Sequence, residues 1–83
     1  MMKPVLVWDL WNRVHIKKHS VSEKEVEEAY KHEFGRSDTY RDRQAIYGKT
    51  QKGRRITIVV SYERQAGPYV VSARNMSKKE RRL

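Results

Sequence analysis

The residues best suited to proton transfer lie close together near the N-terminus. Trp8, Trp11, His15 and His19 recur at spacings of three, four and four residues, which places them on one side of a helix. Imidazole exchanges protons close to neutral pH, so either histidine could be the base or the acid of phosphodiester cleavage. In the simpler interpretation, the tryptophans anchor the core and His19 only complements the C-terminal end of the helix.

A metal centre is a weaker interpretation of the same two histidines. Side chains four residues apart meet on a helix, so His15 and His19 could share a metal ion. The chain has no cysteine, however, and no other cluster of metal-ligating residues supports the pair. We therefore expect no metal and no cofactor. His32, on the charged side of the next helix, is expected to be solvated.

Cationic side chains are the second candidate for chemistry, and they are concentrated in one half of the chain. Residues 1–40 carry seven Lys or Arg and seven Asp or Glu, whereas residues 41–83 carry twelve and three. The second half therefore accounts for the whole net charge of +9. A soluble domain needs a smaller charge to stay dispersed, so this excess indicates a polyanionic partner, most commonly nucleic acid.

The predicted secondary structure brings several of these cations to one face. After residue 40 the sequence period is two, which is typical of a strand. The side chains on one side of that strand are Arg41, Arg43, Ala45, Tyr47 and Lys49. Arg74 ends a later strand, and the cations that follow it are Lys78, Lys79, Arg81 and Arg82. We predict a phosphate-binding surface here, against the plainer interpretation of a solvated sheet edge.

Two N-terminal helices must position the histidines. Residues 4–8 are predicted to form a strand, after which Asp9 caps a first helix over residues 10–18. Residues 22–25 form a capping box, flanked by a hydrophobic staple, and start the second helix. The staple residues are Val21 and Val26. The predicted buried stripe of this helix contains Val26, Ala29, Tyr30 and Phe34, and Gly35 is predicted to end it.

The second half is predicted to form an antiparallel meander, because the turns between its strands are short. The first strand starts at Tyr40, and a turn over residues 50–53 leads into the second strand, residues 54–63. Residues 66–68 turn the chain into the third strand, residues 69–74. The side chains predicted to face the core from the second strand are Ile56, Ile58, Val60 and Tyr62. Those predicted to share one side of the third are Val70, Ser72 and Arg74.

The predicted fold is one α+β domain spanning residues 1–83, in the order β-α-α-β-β-β-α. A second capping box over residues 77–80 predicts the short C-terminal helix. The apolar runs at residues 5–8 and 58–60 are too short to cross a bilayer, and the N-terminus lacks the core of a signal peptide. We therefore expect a cytoplasmic protein without a membrane partner.

The order of several motifs resembles a known protein family. The motifs are Trp8-Asp9, Lys18-His19-Ser20-Val21, a Glu-rich helix, Ser72-Ala73-Arg74 and Lys79-Glu80-Arg81-Arg82-Leu83. This set is similar to that of the BrnT family, the toxin half of a type II toxin–antitoxin pair, and the likeness spans nearly the whole chain. That family in turn resembles the RelE group, small basic α+β ribonucleases that cut RNA without a metal.

The resemblance implies an endoribonuclease toxin that inhibits translation and uses the 2′-hydroxyl of its RNA substrate as the nucleophile. His15 or His19 would then transfer protons, while Arg43 and Arg74 would hold the non-bridging phosphate oxygens. Tyr47 would stack on a base. The other expected nucleic-acid-binding residues are Arg41, Lys49, Arg54, Arg55, Lys78, Lys79, Arg81 and Arg82. Many RelE-like enzymes use Arg, Lys and Tyr alone, so the histidines are not required by the resemblance.

The partners implied are RNA and a cognate antitoxin, whose acidic segment would cover the basic face. Such a complex usually represses its own operon, so operator DNA would be bound through the antitoxin. The oligomeric state is open, a homodimer included. Two other function classes are also open: a non-catalytic basic nucleic-acid-binding module, and an adaptor domain whose basic face binds an acidic protein.

Overall fold

The computed structural model describes residues 3–39, 41–63 and 67–82, the side chain of Arg82 excepted. The helices are α1 (Leu10–Ile16) and α2 (Glu23–Lys31), and the strands are β1 (Glu33–Asp38), β2 (Arg43–Lys49), β3 (Arg55–Ser61) and β4 (Tyr69–Asn75). Single 3₁₀ turns occur at Lys17–His19 and Glu80–Arg82. The strands form one antiparallel sheet in the order β1-β2-β3-β4, so the predicted α+β class and meander are confirmed.

The predicted N-terminal strand is reduced to a single bridge, so that prediction is wrong. Val7 pairs in parallel with Tyr69, its N–H donating to the Pro68 carbonyl at 2.8 Å. The Val7 carbonyl accepts from the Asn12 side-chain amide at 3.0 Å and from the Val70 N–H at 3.4 Å. The pairing does not extend, because Pro4 has no N–H to donate and α1 begins three residues after Val7.

Strand β1 was missed by the sequence patterns. Phe34 and Gly35 were predicted to end the second helix, but α2 ends at Lys31 and the following residues pair with β2. Phe34 is 54% exposed, whereas Val26, Ala29 and Tyr30 of the predicted stripe are buried. The segment contains no β-branched residue and no alternation of apolar and polar side chains, so only its pairing with β2 makes it a strand.

The predicted C-terminal helix is only a 3₁₀ turn, although its capping box forms. The Ser77 Oγ accepts from the Glu80 N–H at 3.2 Å, and a Glu80 carboxylate oxygen accepts from the Ser77 N–H at 2.9 Å. The same carboxylate is engaged by distant side chains, which holds this turn against the sheet. The predicted strand start at Tyr40, the turn residue Ala66 and the last residue, Leu83, lie outside the described residues.

Both helices begin as their capping motifs predict. Asp9 caps α1 by accepting from the Asn12 N–H at 3.0 Å. Ser22 caps α2 by accepting from the Glu25 N–H at 3.1 Å, and Glu25 accepts from the Ser22 N–H at 3.1 Å. Acidic residues in the first turn of α2 also complement the helix dipole. Local sequence alone therefore determines where both helices start.

The core lies between the helices and one face of the sheet. Its members from the helical half are Leu6, Ile16, Val21, Val26, Ala29 and Tyr30. Its members from the sheet are Ile46, Ile56, Ile58, Val60, Val70 and Ala73. Gly48 lets α2 approach β2 closely, since a Cβ at this position would lie 1.8 Å from the Ala29 carbonyl oxygen. Tyr62, predicted to face this core, is 40% exposed because β3 ends at Ser61.

A β-bulge in β4 changes which side chains share a face. Val60 pairs with Val70, but Val59 pairs with Ser72, so Val71 is the extra residue. Val70 consequently faces the core, whereas Ser72 and Arg74 face the other side of the sheet. The prediction that all three share one side is wrong because the alternation is shifted by one residue at the bulge.

Candidate nucleic-acid interface

The sheet face opposite the helices, here called the open face, carries most of the candidate functional residues. Strand pairing assigns these side chains to it: Arg43, Ala45, Tyr47 and Lys49 from β2, Arg55, Thr57, Val59 and Ser61 from β3, and Tyr69, Ser72 and Arg74 from β4. Arg41, predicted to share this face, instead lies in the turn before β2 with a φ of 61°. The left-handed backbone at Arg41 interrupts the alternation of side chains between the two faces of the sheet.

Three cations meet at one end of the open face. Lys49 and Arg55 are directly opposite each other in the β2–β3 pairing, and Arg81 lies beside them. The three line a groove of about 600 Å³. No ion pair or hydrogen bond engages their side chains among the described residues, and no described acidic residue lines the groove. We call this site the cationic groove.

The facing pair in the cationic groove is unfavourable for the sheet itself. Like charges directly opposite on neighbouring strands destabilise an antiparallel pair by a few tenths of a kcal/mol, up to about 1 kcal/mol. Lys49 and Arg55 are opposite because the turn between β2 and β3 sets that register, in which Gly53 takes a φ of 89°. An anionic ligand such as a phosphate would remove this repulsion, which makes the groove the best candidate site on the molecule.

Apolar side chains border the cationic groove. Phe34 and Met76 line an adjoining cavity of about 340 Å³, which shares Lys49, Arg55 and Arg81 with the groove. Phe34 is 54% exposed, so part of its side chain is accessible to a ligand. Proteins that bind single-stranded nucleic acids commonly place an exposed aromatic ring beside cations. The bases stack on the ring, while the phosphates bind the cations. Sequence reasoning missed Phe34, since its helical spacing from Tyr30 favoured a buried position.

Tyr47 is not available for the stacking role that the resemblance implies. Its side chain is only 5% exposed and packs with Ala45 and Met76 in a small cluster on the open face. Its hydroxyl is hydrogen-bonded to the Ser37 hydroxyl at 2.7 Å. The chain after β4 crosses the open face and places Met76 over this ring. Phe34 is the exposed aromatic residue at the cationic groove.

Arg74 is held by an ion pair next to the cationic groove. Its two terminal nitrogens donate to the Glu80 carboxylate at 2.7 and 2.9 Å. The Thr57 hydroxyl and the Ser77 N–H donate to the same carboxylate at 3.0 and 2.9 Å. The hydrogen bonds from Arg74 lower the pKa of Glu80 from its usual 4.5 to about 2, against an opposing effect of burial. The Glu80 hydrogen bonds in turn raise the pKa of Arg74.

The Glu80 ion pair makes part of the stability dependent on pH. Because the folded-state pKa is lowered, its contribution is complete above pH 4.5 and is lost as the pH falls towards 2. We expect Glu80→Gln to lower the free energy of unfolding by about 1–2 kcal/mol at pH 7, a value that allows for partial solvent screening of the ion pair. The difference from the wild type should shrink steadily between pH 4.5 and pH 2, as measured by urea denaturation.

Glu23→Gln is the matched control for this measurement, because in the described part of the chain the Glu23 carboxylate pairs only with an exposed Arg13 side chain. It should change the free energy of unfolding by a few tenths of a kcal/mol. A Glu80→Gln variant whose stability ran parallel to the wild type from pH 7 to pH 2 would contradict the assignment.

Arg54 joins elements on the helical side of the sheet. Its guanidinium donates to the Ser20 carbonyl at 2.8 Å, to the Glu25 carboxylate at 2.9 Å and to the Asn75 side chain at 2.7 Å. The hydrogen bond from Arg54 lowers the pKa of Glu25. Three partners from three segments make Arg54 a residue that holds the fold together, at the edge of the cationic groove.

The four predicted catalytic residues do not meet in one cluster. Arg43 pairs with Ser61 and Arg74 with Thr57, so the two arginines lie two strands apart and are offset by about 13 Å along the strand direction. The structure places His15 on α1 and His19 in the turn that follows it, with a centroid distance of 6.4 Å between their rings. His15 borders an apolar patch whose other members are Leu10, Trp11, Val14 and Lys18.

The remaining predicted residues lie around the C-terminal turn. Lys78 and Lys79 are exposed, and Arg81 lines the cationic groove. Arg82 belongs to the same turn, and its side chain lies outside the described part of the chain. Trp8 packs against the core, as predicted, and donates from its indole to Glu27 at 2.7 Å. Trp11, also predicted as a core anchor, is 56% exposed, so that prediction is wrong.

Three further observations bear on the class of protein. Within residues 3–39, 41–63 and 67–82, no group of three or more His, Asp or Glu side chains is arranged to hold a metal ion. In the same part of the chain, no helix is long and apolar enough to cross a membrane. Comparisons of the chain with known protein families, with curated proteins and with solved structures gave no match.

Proposed function

We propose that this protein is a toxin of the BrnT type, a metal-independent endoribonuclease that binds RNA on its open face. The observation that carries the proposal is the cationic groove, in which Lys49 and Arg55 face each other beside Arg81 without a described acidic partner. A site that concentrates unpaired cations at a cost to the sheet is expected to bind an anion. The excess charge of the second half of the chain supports a polyanion.

Single-stranded RNA fits the open face better than a duplex does. Phe34 offers a ring on which one base can stack, and such rings are reached only by unpaired bases. Met76 and Glu80 cover the middle of the open face, at Tyr47 and Thr57, so the groove end is where a strand can reach this face. Phosphates would bind Lys49, Arg55 and Arg81 at one end.

Cleavage requires two proton transfers and stabilisation of a phosphorane. The 2′-oxygen forms a bond to phosphorus while the bond to the 5′-oxygen breaks, which leaves a 2′,3′-cyclic phosphate. Cations within reach of the non-bridging oxygens lower the barrier by stabilising their charge. In the groove scheme, the 2′-hydroxyl gives its proton to a hydroxide ion from the solvent, and the Lys49 ammonium gives its proton to the leaving 5′-oxygen. His15 and His19 are the alternative proton donors and acceptors, for an RNA strand that extends from the sheet to α1.

The partner implied is an antitoxin. An acidic segment of the antitoxin would occupy the cationic groove and exclude RNA, and the complex would bind operator DNA through the antitoxin. The protein would act in the cytoplasm, where message and ribosomes are found. A homodimer is compatible with this scheme.

A second candidate function is a non-catalytic RNA-binding module. It is favoured by the separation of the predicted catalytic residues, since Arg74 is paired with Glu80 and Arg43 lies two strands away, offset by about 13 Å along the strand direction. This module would use the same groove and the same RNA, and it would leave the strand intact.

One assay separates these functions. Purified protein is incubated with end-labelled single-stranded RNA, and with ribosome-bound message, in the presence of EDTA. We expect fragments that end in a 2′,3′-cyclic phosphate, and a loss of at least tenfold in rate for Lys49→Gln combined with Arg55→Gln. Lys24→Gln combined with Lys31→Gln, the same charge change on α2, is the matched control and should cleave as the wild type does.

Each outcome of the assay has a distinct meaning. RNA that is bound but intact supports the second candidate and contradicts the nuclease. RNA that is neither bound nor cut at low salt contradicts both and leaves the adaptor class. The combined variant His15→Gln with His19→Gln distinguishes the two proton-transfer schemes, since cleavage that persists assigns the chemistry to the cationic groove.

A further inference from the structure

We propose that the outer side of α1 is a docking site for an acidic amphipathic helix of another protein. This surface, here called the α1 patch, consists of Leu10, Trp11 and Val14, with His15 and Lys18 at its border. The inference goes beyond the proposed function, because the α1 patch shares no residue with the cationic groove and docking there does not require RNA.

The helix α1 is apolar on two opposite sides. Leu10, Trp11 and Val14 are 76%, 56% and 52% exposed, and their spacings of three and four residues place them on one side. Ile16 is buried in the core on the other side. A helix with apolar side chains all round is typical of an element that is covered on both sides. The described part of the chain covers only one side of α1.

The apolar side chains of the α1 patch are contiguous. Single exposed hydrophobic side chains are common on soluble domains, whereas contiguous groups mark interaction sites. Leu10, Trp11 and Val14 all border one shallow cavity of about 470 Å³. The Trp11 ring is held by stacking on His15, with 4.6 Å between centroids and 10° between planes. A fixed tryptophan is a frequent anchor of protein–protein interfaces, because little side-chain entropy is lost on binding.

The charges beside the α1 patch determine the chemistry of its occupant. Residues 10–20 contain three Lys or Arg and two His but no Asp or Glu. Arg13 is paired with Glu23, whereas Lys17 and Lys18 are exposed and form no ion pair with any described residue. Both lysines lie at the C-terminal end of the patch. A partner with acidic side chains at that end therefore gains electrostatic complementarity.

A second copy of the chain fits the α1 patch less well than an acidic partner does. The chain has a net charge of +9, and a symmetric contact would bring the lysines of one patch to another patch without an acid in residues 10–20. RNA also fits less well, because the aliphatic Leu10 and Val14 offer no stacking surface. A tryptophan among aliphatic side chains, with cations at its margin, is typical of a protein–protein interface.

The length of α1 determines the form of the partner. The helix and the 3₁₀ turn after it cover residues 10–19, which corresponds to about 15 Å. A partner helix of about three turns matches this length, and its apolar side chains at i, i+3 or i+4, and i+7 would contact the α1 patch. Asp or Glu side chains near one end of the partner helix would then reach Lys17 and Lys18.

Selection from a peptide library measures the chemistry of the occupant directly. Random peptides of about 16 residues, long enough to form a helix, are displayed on phage and selected on the full-length protein. We expect enrichment of peptides whose apolar residues recur at spacings of three and four and which carry Asp or Glu. Synthetic copies of these peptides should bind Leu10→Gln combined with Val14→Gln at least about tenfold more weakly than the wild type.

Two controls accompany the selection. Leu10 and Val14 are exposed and glutamine is a good helix former, so the double variant should unfold at the same urea concentration as the wild type. Lys17→Gln combined with Lys18→Gln should weaken the acidic peptides by about fivefold. Lys24→Gln combined with Lys31→Gln, the same charge change on α2, should leave their affinity unaltered.

Every other outcome contradicts the inference. A library without binders, or peptides that bind the Leu10→Gln, Val14→Gln variant as tightly as the wild type, would show that the α1 patch is not a docking site. Enriched peptides without acidic residues would contradict the assigned charge.

The same variant tests the other occupants. Dimerisation in sedimentation velocity, binding to vesicles of phosphatidylserine and phosphatidylcholine, or binding of oligouridine that this variant abolished would assign the α1 patch to a second copy, a membrane or RNA. Each of these results would overturn the inference. None of them depends on RNA cleavage or on the cationic groove, so the proposed function can fail while this inference holds, and the reverse.

Discussion

Replacing Gly48 with alanine should strongly lower the stability of the protein. The Cβ of the variant would lie 1.8 Å from the Ala29 carbonyl oxygen and 2.5 Å from the carbonyl carbon. Both are backbone atoms of α2, so no side chain can rotate away, and the helix would have to lift off the sheet. We expect a loss of at least about 3 kcal/mol in the free energy of unfolding, which is a large share of the stability of a domain this size.

The matched control is Gly35→Ala on the neighbouring strand. A Cβ there would lie 3.6 Å from the Tyr47 ring, an ordinary van der Waals distance. This variant should stay within about 1 kcal/mol of the wild type, because alanine also loses less backbone entropy on folding than glycine. Urea denaturation followed by circular dichroism compares the two variants. A Gly48→Ala protein as stable as the Gly35→Ala protein would show that α2 does not pack on β2 in this way.

Neutralising the facing cations should weaken RNA binding and stabilise the fold in the same protein. Lys49→Gln combined with Arg55→Gln removes from the cationic groove the two side chains that we propose bind phosphates. For a single strand this reduces the salt dependence of the binding constant by about 1.4 in log–log slope, which corresponds to roughly 20-fold weaker binding at 0.1 M salt. The variant should also gain a few tenths of a kcal/mol in stability, because the cross-strand repulsion is gone.

Opposite changes in affinity and stability make this prediction specific. A general loss of structure would weaken binding and lower stability together. Lys24→Gln combined with Lys31→Gln changes the net charge equally on α2, and it should leave the slope nearly unaltered. Anisotropy titrations at several salt concentrations, together with urea denaturation, give both quantities. An unaltered salt slope for the groove variant would place the RNA elsewhere on the molecule.

The Arg74–Glu80 ion pair lies next to the cationic groove and holds the C-terminal turn against β3 and β4. The groove itself combines cations with the partly exposed Phe34 ring, the combination for which we propose single-stranded RNA as the ligand.

Much of the local structure could be predicted from the sequence. The starts of both helices follow from Asp9, Ser22 and Glu25, because a capping side chain bonds to backbone groups only two or three residues away. The alternation in β2 and β3 follows from their apolar residues, because successive side chains of a strand point to opposite faces. The excess of positive charge was likewise evident from composition alone.

Strand β1 and the bulge in β4 depended on distant residues. The β1 segment has no pattern of its own and becomes a strand because β2 offers an unpaired edge. The bulge at Val71 lets Val70 and Ala73 both reach the core, which moves Arg74 to the open face. Neither arrangement is encoded within a window of a few residues.

The sequence by itself determined the helix starts, the class of fold and the sign of the charge, since these depend on neighbours along the chain or on simple totals. Only the tertiary structure decided which of the charged side chains form ion pairs within the protein. It paired Arg54 and Arg74 with acidic residues from other segments and left Lys49, Arg55 and Arg81 together in one groove. Ion pairs between residues far apart in sequence depend on strand register and helix packing, and composition is the same whichever pairs form.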